Sequence, residues 1–438
     1  MGGAGRRRPR SGIARRSGRA SGTRSARRRQ RPRAARSRRV RAHWRDPPDV
    51  ARGEAPGTAV RPVRYCVVPR HVYLHVPFCA RRCSYCDFSI AVRRDVPVDE
   101  YLSALDAELS VRFGGDAPAA VDTIYLGGGT PSRLGGVGVA GAIALVERHF
   151  PLASGGELTI EANPEDVDAR AVEAWLAAGV NRLSLGSQSF DDRVLAWMHR
   201  THDGSAIERA VATARAGGIG NLSLDLIFAL PAALGRDFEQ DVRRLLALAP
   251  DHVSLYGLTV ESATPLGRWV ARGTAVERPE EGYEEEFLAA HTLLTAAGLE
   301  HYEVSNYALP GKRARHNSAY WAGVPYVGLG PAAHGFDGTT RRWNARAYAS
   351  WRDALNSGAD PVEGEEQLTE ANRIAESVYL QLRSDGGLAL LPGERDVVAP
   401  WQVAGWVTLD ADERLRCTPS GWLRLDALAA ALTHNRSR

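Results

Sequence analysis

With 438 residues, 44% of them hydrophobic, the chain is long enough for two or three domains and a large core. No apolar run reaches the length of about 18 residues that a membrane-spanning helix needs. The formal charge of +5 hides an asymmetry: residues 1–64 hold 21 arginines against Asp46, Asp49 and Glu54, a charge of +18, which leaves −13 on the other 374 residues, so the body is not built to wrap nucleic acid.

The segment 1–64 has no apolar periodicity and no acid before Asp46, so it is expected to be a disordered tail. Four readings of it stay open. It is a translation start placed too far upstream, a nucleic-acid arm, a transit peptide, or a polybasic contact with a membrane surface. Lys312 stands alone beside 55 arginines, a coding bias that favours the first of these. The five cysteines, Cys66, Cys79, Cys83, Cys86 and Cys417, form an odd, clustered set with no secretory leader. That pattern points to a reducing compartment, with the cytoplasm as the default.

From residue 71, short β patterns alternate with helical ones. The strands are expected at 71–77, 122–129, 157–163, 181–189, 221–230 and 252–260, with helical stretches such as 98–113 and 237–249 between them. Repeated strand–helix–strand units call for parallel strands with crossover helices. Six of them without a hairpin interruption predict an incomplete parallel (β/α)6 barrel over residues 65–300. An open dinucleotide-binding sheet would carry G-x-G-x-x-G after a strand, and none is present. In parallel barrels the chemistry sits at the carboxyl ends of the strands. Those ends hold the cysteines, then Gly127–Thr130, Glu161 and Asn163, Gln188, and Asp225.

Beyond 300 the pattern changes. Residues 301–365 are rich in aromatics, histidine and glycine, and are expected to form a connecting region. Residues 366–438 begin with a capped helix at 368–384, then read as helix end, two short strands and a last helix, a winged-helix-like module. With an acidic body, DNA binding is not expected of that module.

The stretch HVPFCARRCSYCDFS (75–89) sets three thiols in the pattern C-x3-C-x2-C. Three thiolates on a cube of four irons leave one iron open for an outside ligand. Structural zinc wants four ligands, and His75 and Asp87 are present to complete such a site. The chemistry that needs an open iron is reductive cleavage of S-adenosylmethionine (SAM), whose amino and carboxylate groups chelate it. The loop therefore resembles that of the radical SAM superfamily. Around it, the glycines of GGGTP (127–131) let backbone approach the methionyl amino group, and Glu161 offers two acceptors for ribose hydroxyls. Each also has an ordinary reading, as a strand-to-helix turn and as a solvated carboxylate. Tyr73 and Tyr85 are placed to pack on cluster and adenine, or belong to plain barrel core.

The stretches YLHVPFCARRCSYCDF, GGGTPS, IEANPE, RLSLGSQSF, LDLIFALP, YEVSNYA and HNSAYW together resemble the oxygen-independent coproporphyrinogen III oxidase group, over about residues 71–432. That group holds dehydrogenases of porphyrin biosynthesis and relatives that act as heme chaperones. The dehydrogenases carry a further cysteine where this chain has Phe88; the chaperones carry H-N-x-x-Y-W, here His316, Asn317, Tyr320 and Trp321. Both features point to the chaperone side. The resemblance implies a [4Fe–4S] cluster on Cys79, Cys83 and Cys86. It also implies a first SAM against Tyr73, Gly128 and Glu161. A second SAM in the dehydrogenases corresponds to Tyr85, Gly129, Thr130, Gln188, Arg200 and Asp225, with Gly257 as a looser match. Phe228 and Ala229, and the stretch AALGRDF (232–238), depart from the family pattern and put that second SAM in question.

His316 is either an axial heme ligand, with Tyr320 and Trp321 as an apolar wall, or a histidine held in a structural network. Cys417 reads as a small buried hydrophobe. Three functions compete. The chain is a cytoplasmic heme chaperone serving respiratory acceptor proteins; a coproporphyrinogen III dehydrogenase, whose activity is expected to be absent; or a nucleic-acid-binding protein acting through its tail. Peripheral membrane contact and a homodimer are left open.

Overall fold

In the computed structural model, residues 69–437 are described; the arginine-rich tail and Cys66 fall outside them. Six strands, β1 (His71–Val76), β2 (Val121–Gly128), β3 (Leu152–Ala162), β4 (Arg182–Gln188), β5 (Leu222–Phe228) and β6 (His252–Gly257), pair side by side in chain order. Every one of those pairings is parallel.

The strands alternate in a way that explains both faces. Val72, Leu74, Ile124, Leu126, Leu158, Ile160, Leu183, Leu185, Leu222, Leu224, Val253 and Leu255 are buried and belong to one hydrophobic core. Their in-register neighbours on the other face are polar or aromatic: Tyr73, Thr123, Tyr125, Thr159, Arg182, Ser184, Ser223, Asp225, His252 and Ser254. Burial of the first set against the crossover helices drives folding. Because successive residues of a strand point to opposite faces, the second set is gathered into a polar interior.

The sheet does not stop at residue 300. Strand β7 (Glu300–Glu303) pairs with β8 (Asn306–Ala308), which runs antiparallel to β6, and β9 (Val327–Leu329) runs parallel to β1. The strand order is β9-β1-β2-β3-β4-β5-β6-β8-β7. Three short strands from the segment expected to be a connecting region therefore widen the barrel sheet at both edges. A further antiparallel sheet follows, built from His334–Phe336, Thr340–Asn344 and Val362–Gln367.

One buried carboxylate fastens this later chain to the first crossover helix, Val98–Phe113. Glu108 is 0% exposed. Its Oε1 accepts from Arg112 Nη1 (2.9 Å) and Asn344 Nδ2 (2.6 Å), and its Oε2 from the Gly330 N–H (2.8 Å) and Trp351 Nε1 (3.1 Å). A carboxylate taken out of water is tolerable only with its lone pairs filled this way.

At the carboxyl end, the helix Glu370–Arg383 starts with the Thr369 hydroxyl accepting from the Asn372 N–H, and Arg383 pairs with Glu303 at 2.8 Å. A three-stranded sheet places Arg414–Cys417 between Leu388–Ala389 and Val407–Leu409, with a single helix, Arg395–Val403, between the first strand and the hairpin. Cys417 is buried there, and burial pushes its thiol up to about 12. Among the described residues, no helix is long and apolar enough to cross a membrane.

Candidate cluster and cofactor site

The loop that follows β1 is closed on itself. Phe78–Cys79 and Ala91–Val92 form a two-residue parallel ladder, and the Arg93 N–H donates to the Cys79 carbonyl at 3.0 Å. At its middle, the Ser84 N–H donates to the Met198 carbonyl (3.0 Å), while the Ser84 carbonyl accepts from the Leu266 N–H (2.8 Å). Segments after β4 and after β6 thus grip the loop from either side.

Cys79, Cys83 and Cys86 are all half-buried in that loop. Burial raises the Cys79 and Cys86 thiols, the latter to about 12, and each is raised further by a neighbouring cysteine. Cys79 and Cys86 thus both feel Cys83, and loading a metal on them releases protons. Among the described residues, no three His, Cys, Asp or Glu side chains come close enough to hold a single metal ion. Thiolates that bind different irons of one cluster stand further apart than the ligands of one ion. The zinc alternative also loses its fourth ligand. His75 is buried, with Nε2 against the Ser89 carbonyl (3.0 Å) and Nδ1 against the Tyr73 hydroxyl (3.1 Å), while Asp87 is exposed. Burial lowers His75 to about 4, so the ring is neutral.

Arg200 completes the fit to an anionic cluster. Its Nη1 donates to Cys83 Sγ (3.5 Å) and its Nη2 to Asn163 Oδ1 (2.6 Å) and the Gly186 carbonyl (2.8 Å). Its buried Nε has no hydrogen-bond partner, and no carboxylate among the described residues pairs with it. A guanidinium that already donates to Cys83 suits thiolates and sulfides as counter-charge, beside the more distant Glu165 carboxylate. A [4Fe–4S] cluster held on these thiols would supply an open iron for SAM.

The glycine run beside the loop is dictated by crowding. Gly128 sits at φ +111°, and a Cβ there would meet the His75 ring at 2.6 Å; one on Gly129 would meet the Pro77 carbonyl at 2.6 Å. Thr130 bridges Cys79 Sγ (3.5 Å) and Asn163 Nδ2 (3.4 Å).

Glu161, at the end of β3, accepts from the Tyr125 hydroxyl on Oε1 (2.7 Å) and from the Gly128 N–H on Oε2 (3.1 Å). Burial pushes it up to about 7, opposed by the Tyr125 hydrogen bond and reinforced by the Asp225 carboxylate. Asp225 is itself raised, to about 6, mainly by burial, and accepts from Ser184 Oγ at 3.3 Å. Raised carboxyls keep protons that the unfolded chain releases, so the apoprotein loses stability as pH rises from about 4.5 to 7. Glu161→Gln should flatten that slope without abolishing it, because Asp225 remains. Denaturant titrations at pH 5 and pH 8 test this; equal slopes in the two proteins would show that Glu161 titrates as an ordinary carboxylate.

The remaining positions divide. Gln188, held at φ +68°, lies with Arg200 and Asn163 around the α-carbon of Gly186. The Tyr85 ring packs beside Met198, Trp197 and Tyr256 in a small apolar cluster at the rim. Gly257 is explained by packing: a Cβ there would meet the Tyr283 hydroxyl at 2.2 Å. His316 is 1% exposed. Its Nδ1 bonds with Thr123 Oγ1 (2.7 Å) and its Nε2 with the Tyr320 hydroxyl (2.8 Å), while its ring stacks on Tyr125. With both nitrogens engaged, it has no lone pair free for iron, and the structure gives it the network role.

Sequence reasoning missed the interior partners Thr123, Tyr125, Ser184, Ser254 and Tyr256. The available signal was the regular alternation of polar with apolar residues along strands that are buried on both faces.

Residues 73–245 match the model of the radical SAM superfamily. The heme chaperone HemW of Mycobacterium tuberculosis is 39% identical over 386 residues, which cover 86% of this chain and 97% of that protein. The heme chaperone HemW of Escherichia coli is 38% identical over 61% of this chain and 70% of its own. The coproporphyrinogen III oxidase HemN of Escherichia coli, a radical SAM enzyme, superposes with a TM-score of 0.71 at 22% identity, covering 83% of this chain and 90% of that one, a likeness of fold. With 39% identity over 97% of the length of the Mycobacterium tuberculosis relative, the chain belongs to the HemW family of the radical SAM superfamily.

Proposed function

We propose that this protein is a cytoplasmic heme chaperone: it binds heme on a radical SAM core and passes it to respiratory acceptor proteins. The observation that carries the reading is the alignment with proteins named heme chaperone HemW over 97% of the length of one of them. In this reading Cys79, Cys83 and Cys86 hold the [4Fe–4S] cluster, and Tyr73, Gly128 and Glu161 line the SAM place. Tyr85, Gly129, Thr130, Gln188, Arg200 and Asp225 stand at the positions that match a second SAM in the dehydrogenases. Phe88, where the dehydrogenases have a further cysteine, is 63% exposed and contributes no ligand. Heme needs a flat apolar face and one axial nitrogen, a lighter demand than a propionate held about 3–3.5 Å from an abstracting carbon.

One anaerobic preparation, reconstituted with iron and sulfide, tests the reading when assayed for heme binding and for coproporphyrinogen III conversion with SAM and reductant. Heme binding without turnover is expected. Multiple turnovers would make the chain a dehydrogenase.

A further inference from the structure

With His316 committed to Thr123 and Tyr320, the heme reading lacks an axial nitrogen, and the rim of the barrel supplies another. His199 follows the short helix Asp192–Trp197, just past the carboxyl end of β4. It is half-buried, and neither ring nitrogen has a hydrogen-bond partner among the described residues. Two other imidazoles near the cluster loop are occupied: His75 by Tyr73 and Ser89, His202 by Glu165 and the Ser187 carbonyl.

The surroundings of His199 are aromatic. Its ring meets Trp269 edge to face at 5.4 Å, and Trp269 lies 5.7 Å from Trp197. Both indoles are partly exposed. The backbone is held at φ +61°, the left-handed region that a non-glycine residue seldom enters and that gathers at functional sites. Its two chain neighbours are tied to the cluster loop. The Met198 carbonyl accepts from the Ser84 N–H, and Arg200 donates to Cys83. Trp269 is tied to the same loop through its own helix, Pro265–Ala271, whose Leu266 N–H donates to the Ser84 carbonyl.

We propose that His199 is the axial ligand of the carried heme, with Trp197 and Trp269 as the wall for its macrocycle, at the mouth of the barrel beside the cluster loop. The proposal rests on the heme-carrier reading and adds to it a ligand and a place. A neutral imidazole with a free lone pair is a common heme ligand, and indoles offer a flat apolar face. Binding forms one iron–nitrogen bond and requires no redox change. A half-exposed seat with one protein ligand also leaves the second face of the iron open to an acceptor, as release requires.

The test uses the full chain with its cluster reconstituted, titrated with hemin and followed by absorption and electron paramagnetic resonance. His199→Gly and His199→Asn both accept a left-handed backbone, so the fold should survive, with cluster absorbance and SAM binding as controls. The expected result is a shifted or lost Soret band and at least about tenfold weaker heme binding in both, restored in His199→Gly by added imidazole. Trp269→Leu should weaken binding while keeping the wild-type ligand spectrum. Wild-type spectrum and affinity in His199→Gly would overturn the ligand assignment and leave the carrier reading standing. A wild-type chain that takes up no heme would overturn both.

Discussion

Alanine at Cys79, Cys83 and Cys86 together removes the iron that the reconstituted chain holds, from about four atoms per chain to background. Among the described residues, the three thiols are the only cysteines at the rim: Cys417 is buried in the carboxyl-terminal sheet. No nearby group can replace them, because His75 has spent both nitrogens on Tyr73 and Ser89. The loop should keep its shape in the triple variant, since its closure rests on backbone hydrogen bonds from Ser84, Leu266, Ala91 and Arg93 rather than on sulfur. Iron analysis and the brown absorbance of the cluster read the loss, while far-ultraviolet circular dichroism should change little. Retention of the same iron by the triple variant would place the cluster elsewhere.

The largest effect on stability is expected at Glu108. Glu108→Ala removes the carboxylate that pairs with buried Arg112 and strips the Gly330 N–H, Asn344 Nδ2 and Trp351 Nε1 of their acceptor. Removing one partner of a buried ion pair costs about 3–5 kcal/mol. The damage should concentrate where the hub acts, on the docking of residues 330–351 against the helix Val98–Phe113. Glu108→Gln, which keeps one acceptor oxygen, should lose less. Urea denaturation measures both, and a cost below about 1 kcal/mol for the alanine variant would mean that the network contributes no more than ordinary surface pairs.

Much of the fold was legible because the six parallel strands alternate so regularly. Strands β1 to β6 lie close to their expected limits. The exception is β3, which begins at Leu152 because a register shift around Gly155 and Gly156 lets it pair early with β2. The edge strands β7, β8 and β9 were not legible. They are three or four residues long; β8 and β9 owe their existence to partners on β6 and β1 that are distant in sequence, and β7 adds to the edge only through β8. The cysteines and the glycine run were readable because their spacing is set by local geometry. Glu108 was hidden, since with Arg112 it looks like an ordinary i,i+4 surface pair on a helix. His316 was ambiguous for a related reason: its role is decided by Thr123, 193 positions earlier. Gly257 matched a cofactor contact in pattern, yet Tyr283 is what excludes a side chain there.

The most direct test of the account is heme transfer. The reconstituted chain, loaded with one heme and freed of excess, is mixed anaerobically with a heme-free respiratory acceptor, and the Soret region is followed over time. The account predicts loss of the carrier's band with matching gain of the acceptor's native spectrum, faster than from free hemin at equal concentration. Heme that stays on the chain, or reaches the acceptor no faster than free hemin does, would contradict it.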